Sequence, residues 1–161
     1  MPYIILTGKF AYVVSISVWS GSLFLIMYMV GRKNDPGYLG LSSFLMQKGR
    51  IFLRVVGIIS VLLSFGLVFW EFENGRFHIS IFSLELDFFI ILITYSIIGE
   101  LYIIPAMKRF HHISEFTTKS SGDPETPHVI VMSGRIRELC LYQIIPLLFV
   151  VLTISLQYSI S

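Results

Sequence analysis

The chain has 161 residues and a net charge of +2, with twelve Lys and Arg against ten Asp and Glu. Hydrophobic residues make up 55% of it and charged residues only 14%, and its mean hydropathy of +0.78 is far above that of soluble proteins. This composition leaves no room for a separate soluble catalytic domain, and so small a net charge gives no argument for binding nucleic acid. The single cysteine, Cys140, excludes an internal disulfide and any Cys-x-x-Cys site.

Four apolar runs fill most of the chain. Each has about twenty residues, which at ~1.5 Å per residue is enough to cross the ~30 Å hydrocarbon layer of a bilayer. Because no water is present there, backbone groups must be satisfied within each segment, so helices are expected. The sequence therefore predicts an all-α fold, a polytopic bundle of four transmembrane helices forming one domain over residues 1–161. The runs are residues 10–30, 51–70, 88–107 and 139–158.

Basic residues predict the orientation of this bundle. The first run follows no basic region and is longer than the apolar core of a signal peptide, so we expect it to be retained as a helix. Nine basic residues lie in the first and third connections, whereas only two, Lys9 and Arg76, lie on the other side. The positive-inside rule then places residues 31–50 and 108–138 in the cytoplasm and both termini outside, in a plasma or inner membrane. The nine are Arg32, Lys33, Lys48, Arg50, Lys108, Arg109, Lys119, Arg135 and Arg137.

The connections carry weaker signals. Asn74-Gly75 is typical of a short hairpin between residues 71–73 and 76–79, and equally of an irregular cap. Residues 114–128, rich in Ser, Thr, Pro and Gly, are predicted to be the least structured stretch. Ser133 is predicted to cap the start of the fourth helix, because its hydroxyl can accept a free first-turn N–H.

One face of the first helix carries small and aromatic residues that fall within a single arc at about 100° per residue. Small residues allow helices to approach closely, so we expect this face to turn into the bundle. One interpretation is packing with an interhelical hydrogen bond from Tyr12; the other is a cofactor contact through Tyr12 and Trp19. The face is made by Gly8, Tyr12, Ser15, Trp19, Ser22 and Ile26.

The spacing Lys9-x-x-Tyr12-x6-Trp19-x-Gly21 resembles the first helix of a group of four-to-five-helix membrane proteins. That group includes the HemJ-type protoporphyrinogen oxidases and the CopD-like copper-resistance proteins, whose motif reads Lys-x-x-His-x6-Trp-x-Gly. Residues 55–66, with their late glycine, are similar to the second helix of the group, and the proline within the last run, Pro146, also fits. The resemblance implies a helical membrane bundle and, for the HemJ-type members, haem b bound with help from the first-helix histidine.

This chain departs from the group where that chemistry is decided. Tyr12 stands at the position of the histidine implicated in haem binding, and tyrosine is an uncommon haem ligand. The third run holds Glu100 and no counterpart of the lysine found in a later helix of the enzymes. No histidine lies at membrane depth, so a bis-histidine haem is not expected. His111 and His112 are adjacent and point about 100° apart on a helix, so they cannot chelate one ion together. One of them with His128 or Glu115 could form an interfacial metal site, but a structural or headgroup-facing role is favoured, and no metal site is predicted. The histidines are His78, His111, His112 and His128.

Charged residues at or within the apolar runs are the remaining lead, because burying them is costly and usually implies a partner or a path. From the side predicted to be cytoplasmic, Arg54 lies about one turn into the second run and Glu100 about two turns into the third, and the long arginine side chain can bridge that difference. Lys9 and Asp87 lie at comparable depth from the other side. We predict two structural ion pairs, Arg54 with Glu100 and Lys9 with Asp87, rather than a proton or ion relay.

These patterns favour a non-catalytic membrane subunit, or an assembly factor, of a larger membrane complex. Its expected partners are the lipid bilayer and other membrane subunits, with no nucleic acid and no cofactor. The first alternative is a HemJ-type haem-linked oxidase that binds haem b, with Tyr12 taking the place of the first-helix histidine. The second is a small oligomeric transporter or channel.

Overall fold

The computed structural model describes residues 2–31, 38–75, 83–120 and 127–160. Within these ranges the chain forms four helical rods, each with a stretch long and apolar enough to cross a membrane. The predicted all-α bundle of four transmembrane helices is therefore confirmed. The helices are α1 (Pro2–Gly31), α2 (Tyr38–Glu73), α3 (Leu84–Ile93), α4 (Ile104–Ser120) and α5 (Pro127–Ile160), with a π-helical segment, Thr94–Ile103, joining α3 and α4 into one rod.

The rods run up and down, so the bundle has two ends. We call one the terminal end, where α1 and α3 begin and α2 and α5 finish. The opposite end is the basic end, because it carries basic residues of α2 and α4, among them Lys48, Arg50, Lys108 and Arg109. α1 packs against α2 and α5, and α2 also packs against the third rod.

The buried face of α1 repeats every three or four residues, as a helix facing a core must. It is centred on larger side chains than the small-residue arc: Ile16 and Leu23 are fully buried together with Tyr12 and Trp19. Gly8, Ser15 and Ser22 are only half-buried and lie at the edge of the face. The Ser22 hydroxyl donates to Val18 O within its own helix at 2.6 Å.

The helices extend well past the apolar runs at the basic end. Residues 38–50 form the start of α2 and residues 108–120 continue the third rod, each adding about three and a half turns. The expectation that residues 114–128 form one irregular stretch is wrong for 114–120, which are helical, and for 127–128, which begin α5. Lys, Arg and Glu are good helix formers, so a helix can leave the membrane without ending.

Ser133 does not cap the fourth membrane helix. α5 already begins at Pro127, a residue whose fixed φ suits the first helical turn. Ser133 therefore lies in the second turn, where its hydroxyl donates back to Ile130 O at 2.7 Å. A serine followed by an apolar run looks the same in sequence whether it starts the helix or lies just inside it.

Asn74 and Gly75 end α2. Gly75 has a φ of +64°, the left-handed conformation that glycine adopts easily, and its N–H donates to Phe72 O at 3.1 Å. Because residues 71–73 are helical, they do not form the first arm of a hairpin. The second arm, residues 76–79, lies outside the described residues.

The third rod consists of α3, the π segment and α4. It is capped at its start and has a wider helical turn in its middle. Ser83 accepts a hydrogen bond from the Leu86 N–H at 3.3 Å, which satisfies one of the free donors of the first turn. The π segment ends just before Pro105, which has no N–H to donate to the preceding turn. A helix that widens there gains space for side chains from its neighbours, and such widened turns often mark functional sites.

Candidate functional site: two polar clusters in the bundle

A first polar cluster lies on the side of the bundle where α2 meets the π segment. Arg54 and Glu100 form a two-pronged ion pair, with Nε donating to Oε1 at 2.9 Å and Nη2 donating to Oε2 at 2.8 Å. This parallel geometry is the strongest arrangement available to arginine and a carboxylate. The structure thus brings together the two charges that were predicted to pair across about one turn of depth.

The pair is not enclosed by the bundle. The Arg54 side chain is 48% exposed and that of Glu100 is 28% exposed, although both residues lie within membrane-spanning stretches. Large apolar side chains, including Ile58, Ile97 and Leu101, are exposed on the same two elements. The ion pair is therefore a polar site on an outer surface whose neighbouring exposed side chains are apolar and able to contact lipid.

Tyr95 completes this cluster from the π segment. Its hydroxyl donates to Glu100 Oε1 at 3.1 Å, and its ring meets that of Trp19 edge to face, with centroids 6.1 Å apart. The ring lies directly against the backbone of α2 at Gly57, where a Cβ atom would stand 2.7 Å from Tyr95 Cε2. Only glycine at position 57 allows this approach.

Gln143 reaches the same region from α5. Its side-chain amide donates to Thr94 O at 3.3 Å, at the start of the π segment, while its Oε1 is buried without a hydrogen bond to any described residue. A Cβ on Gly99 would stand 3.1 Å from the Gln143 nitrogen, so glycine makes room for the amide. A cavity of about 10 Å³ lies among these groups, enough for one water molecule.

A second polar cluster lies near the terminal end, inside the bundle. The Asp87 carboxylate is fully buried, and its Oδ1 accepts a hydrogen bond of 2.8 Å from the Thr153 hydroxyl of α5. Its Oδ2 has no hydrogen-bond partner among the described residues. Tyr12 is fully buried beside it and beside Ser64, yet no described group meets the geometry of a hydrogen bond to the Tyr12 hydroxyl.

The expected pair between Lys9 and Asp87 does not form. The carboxylate of Asp87 turns into the core toward Thr153 and makes no ion pair with a described residue. Lys9 is half-buried on α1 and has other interactions. Equal depth was the only basis of the prediction, and two residues at equal depth on different helices meet only if both point toward each other.

Tyr12 and Trp19, the candidate cofactor residues, both face the core. Trp19 lines the small cavity beside Tyr95, and Tyr12 lines neither that cavity nor a larger groove of about 650 Å³ between α1 and α5. Both rings are enclosed by neighbouring helices, so their arrangement does not fit a haem unless the core rearranges. The groove is lined by Leu6, Thr7, Phe10, Val13, Ile154 and Ser155.

Between the two clusters, hydroxyl groups join α1 to α2. Ser15 and Ser60 share a hydrogen bond of 2.7 Å, and Ser60 also donates to Val56 O at 2.9 Å. Tyr12 was expected to supply the interhelical hydrogen bond of this face, whereas Ser15 supplies it. A hydrogen bond of this kind between membrane helices contributes about 0.6 kcal/mol on average.

Sequence reasoning missed several members of both clusters. Gln143 and Thr153 are polar residues within the last apolar run, and that signal was available. Tyr95 and Gly57 gave none, because the chain has eight tyrosines and twelve glycines and only the packing distinguishes these two.

Histidine, cysteine and acidic side chains do not converge into a metal site in the described part of the chain, where no group of three or more of them could hold an ion. His111 lies 4.0 Å from Glu115 one turn later on the same helix. Cys140 is buried in the core.

Comparison of the chain with protein-family models, with curated proteins and with solved structures gives no match.

Proposed function

We propose that this chain is a non-catalytic subunit, or an assembly factor, of a larger membrane complex. The observation that carries the proposal is the ion pair of Arg54 and Glu100 on the outer surface of the bundle, with side chains 48% and 28% exposed within membrane-spanning stretches. Charged groups at membrane depth usually face protein or water, because exposing them to hydrocarbon costs several kcal/mol. A helix of a partner subunit that covers the pair would remove that cost.

The surroundings of the pair agree with a partner helix. Ile97 and Leu101 lie on the π segment beside Glu100 and are exposed, as are Ile58 and Val55 beside Arg54. The surface therefore offers apolar packing around one polar spot. That combination suits a transmembrane helix with a hydrogen-bonding side chain at matching depth.

A photo-crosslinking residue placed on this surface tests the proposal. Leu101, 66% exposed beside the pair, is the test position, and Leu152, 62% exposed on α5, is the matched control. In native membranes we expect Leu101 to cross-link to one defined protein that also co-purifies in mild detergent, and Leu152 to give lipid adducts only. Lipid adducts alone at both positions would contradict the proposal.

The same purification distinguishes the alternatives. A Soret band near one haem per chain that disappears in Tyr12→Phe would replace the subunit proposal with the haem-linked oxidase suggested by the first-helix motif. A homo-oligomer without other chains and without colour would favour the transporter or channel. The subunit proposal expects a colourless chain accompanied by other polypeptides.

We also propose that both termini face the outside and that the basic end faces the cytoplasm, on the strength of nine basic residues against two. In a Cys140→Ser background, a cysteine at Asn74 should react with an impermeant thiol reagent on intact cells, whereas one at Ser121 should react only after permeabilisation. The reverse labelling would overturn the orientation and leave the helical bundle unaffected.

A further inference from the structure

We propose that Asp87 is a proton-binding site: in the folded bundle its carboxyl group is neutral and carries a proton on Oδ2. The inference is independent of the subunit proposal. It rests on the terminal cluster alone, where a fully buried carboxylate has one oxygen bonded to Thr153 and the other without a hydrogen-bond partner among the described residues.

The physical argument begins with enclosure. A buried carboxylate remains charged only where cations or several donors compensate for the lost hydration, and otherwise it takes up a proton. Asp87 receives one neutral donor, the Thr153 hydroxyl, which also donates to Val150 O at 2.8 Å. One shared hydroxyl proton is weak compensation for a full negative charge.

The side chains that face Asp87 supply no positive charge, and the start of α3, in whose first turn Asp87 lies, adds only a partial one. From α5 the facing group is Thr153, and from α1 it is Tyr12, whose hydroxyl is titratable but neutral at physiological pH. α2 contributes the neutral Ser64 beside Tyr12. On its own helix the nearest ionisable group is Glu85, also fully buried and of the same sign when ionised. No described cation forms an ion pair with Asp87.

A proton fits this cluster better than a metal ion does. Sodium and calcium need several oxygen ligands that all present lone pairs. The side chains that face Asp87 from α1 and α5 are hydroxyl groups, one of which is already donating to it. Among the described residues no three acidic, histidine or cysteine side chains converge on one point. A proton needs a single carboxyl oxygen and no added space.

Infrared spectroscopy of the full chain tests the proposal directly in vesicles of an ether-linked phosphatidylcholine, whose chains carry no ester carbonyl that absorbs in the same region. A neutral carboxyl group gives a carbonyl-stretch band that an ionised one lacks, and that band shifts in D2O. We expect the band at neutral pH in the wild type and in Glu100→Gln, and its loss in Asp87→Asn. Thr153→Val should move it to higher frequency, because the carbonyl oxygen loses its donor.

Isotope labelling keeps the test valid if Asp87→Asn does not fold. The chain has only three aspartates, and the other two, Asp35 and Asp123, lie outside the apolar runs. Carboxyl-labelled aspartate should shift the neutral-pH band in the unmutated protein and in a variant with both Asp35→Asn and Asp123→Asn. A band that ignores the label, that disappears in Glu85→Gln instead, or that arises only in acid like that of an exposed carboxyl group would overturn the assignment.

Discussion

The two polar clusters handle an acidic side chain in opposite ways. Glu100 lies at the surface of the bundle and meets a full positive charge, with Arg54 donating to both of its oxygens. Asp87 lies roughly 20 Å away along the third rod at about 1.5 Å per residue. It is fully buried, and among the described residues its carboxylate accepts a hydrogen bond only from the Thr153 hydroxyl. Glu100 is partly exposed and has a cationic partner, whereas Asp87 is fully buried and has none among the described residues.

The two clusters differ in what compensates the negative charge of the acidic side chain. The charge of Glu100 is balanced within the chain, so what the first cluster lacks is cover, which another protein can supply. The charge of Asp87 is not balanced by its neighbours, so what the second cluster lacks is a positive charge, which a proton can supply. The first cluster therefore directs attention to a partner helix and the second to protonation.

The largest expected effect is at Gly57, whose missing Cβ lets Tyr95 reach Glu100. Gly57→Ala would place a Cβ 2.7 Å from Tyr95 Cε2, so the ring must move away and take its hydroxyl from the carboxylate. Overpacking of this kind costs about 1–3 kcal/mol. We expect a lower midpoint of thermal unfolding in detergent and a lower folded yield.

Gly66→Ala is the matched control on the same helix. Nothing lies within 4 Å of a Cβ built at Gly66, so this substitution should be neutral or stabilise α2 by up to ~1 kcal/mol through helix propensity. Equal losses from Gly57→Ala and Gly66→Ala would show that the contact of Tyr95 with α2 does not contribute to stability.

The ion pair is tested by a double-mutant cycle. Arg54→Gln leaves a carboxylate without its cation and Glu100→Gln leaves an unpaired guanidinium, so each should lower the free energy of unfolding and the folded yield. The double variant should recover part of the loss, with a coupling of ~0.5–3 kcal/mol. Exposure on one side favours the lower half of that range in detergent.

Additive losses with no recovery would mean that the pair does not couple. A different outcome would revive the relay: if Glu100→Gln left folding and assembly intact but abolished the function of the complex, and Arg54→Gln did not restore it, Glu100 would have a role in moving protons. The cycle therefore sharpens the contrast between a structural pair and a working carboxylate.

The fold was predictable because the bilayer imposes it. In hydrocarbon, a run of about twenty apolar residues satisfies its backbone hydrogen bonds by forming a helix, so the four apolar runs indicated the four rods. Their ends were not predictable, since polar helix formers such as those of residues 108–120 continue a helix into water as readily as they leave it. Ser133 and the start of α5 at Pro127 show the same limit.

For the site residues, the sequence indicated how deep each lies in the membrane but not the direction in which its side chain points. Arg54 and Glu100 could be matched because the arginine side chain reaches across about one turn of depth, and their helices also turn them toward each other. Lys9 and Asp87 were matched by their comparable depth, but Asp87 turns toward Thr153. Rotation of a rod about its axis depends on the packing of all its neighbours, which no single run of residues encodes.

Substitutions of Thr153 test how much its hydroxyl stabilises the buried carboxyl group of Asp87. Thr153→Val has nearly the same shape and removes the donor, so a buried acceptor is left unsatisfied at a cost of about 1–3 kcal/mol. Thr153→Ser keeps the hydroxyl and should retain most of the stability. Ser155→Ala is the control and should change the unfolding midpoint little, because within the described part of the chain this hydroxyl on an exposed face bonds only to Val151 O of its own helix.

The smallest expected effect separates the hydroxyl of Tyr95 from its ring. Tyr95→Phe keeps the contacts with Gly57 and Trp19 and removes only the hydrogen bond to Glu100, which leaves Arg54 as the partner of that carboxylate. Because Glu100 stays compensated, the loss should lie at the lower end of the ~0.5–1.5 kcal/mol of an ordinary hydrogen bond.

Tyr102→Phe is the control for that variant, because Tyr102 lies in the same π segment with 50% of its surface exposed. Its unfolding midpoint should equal that of the wild type. If Tyr95→Phe in an Arg54→Gln background costs more than it does alone, the hydroxyl is the second donor that supports Glu100 when the arginine is gone. If it costs the same in both backgrounds, the arginine and the hydroxyl act independently, and Tyr95 contributes to this cluster through its ring.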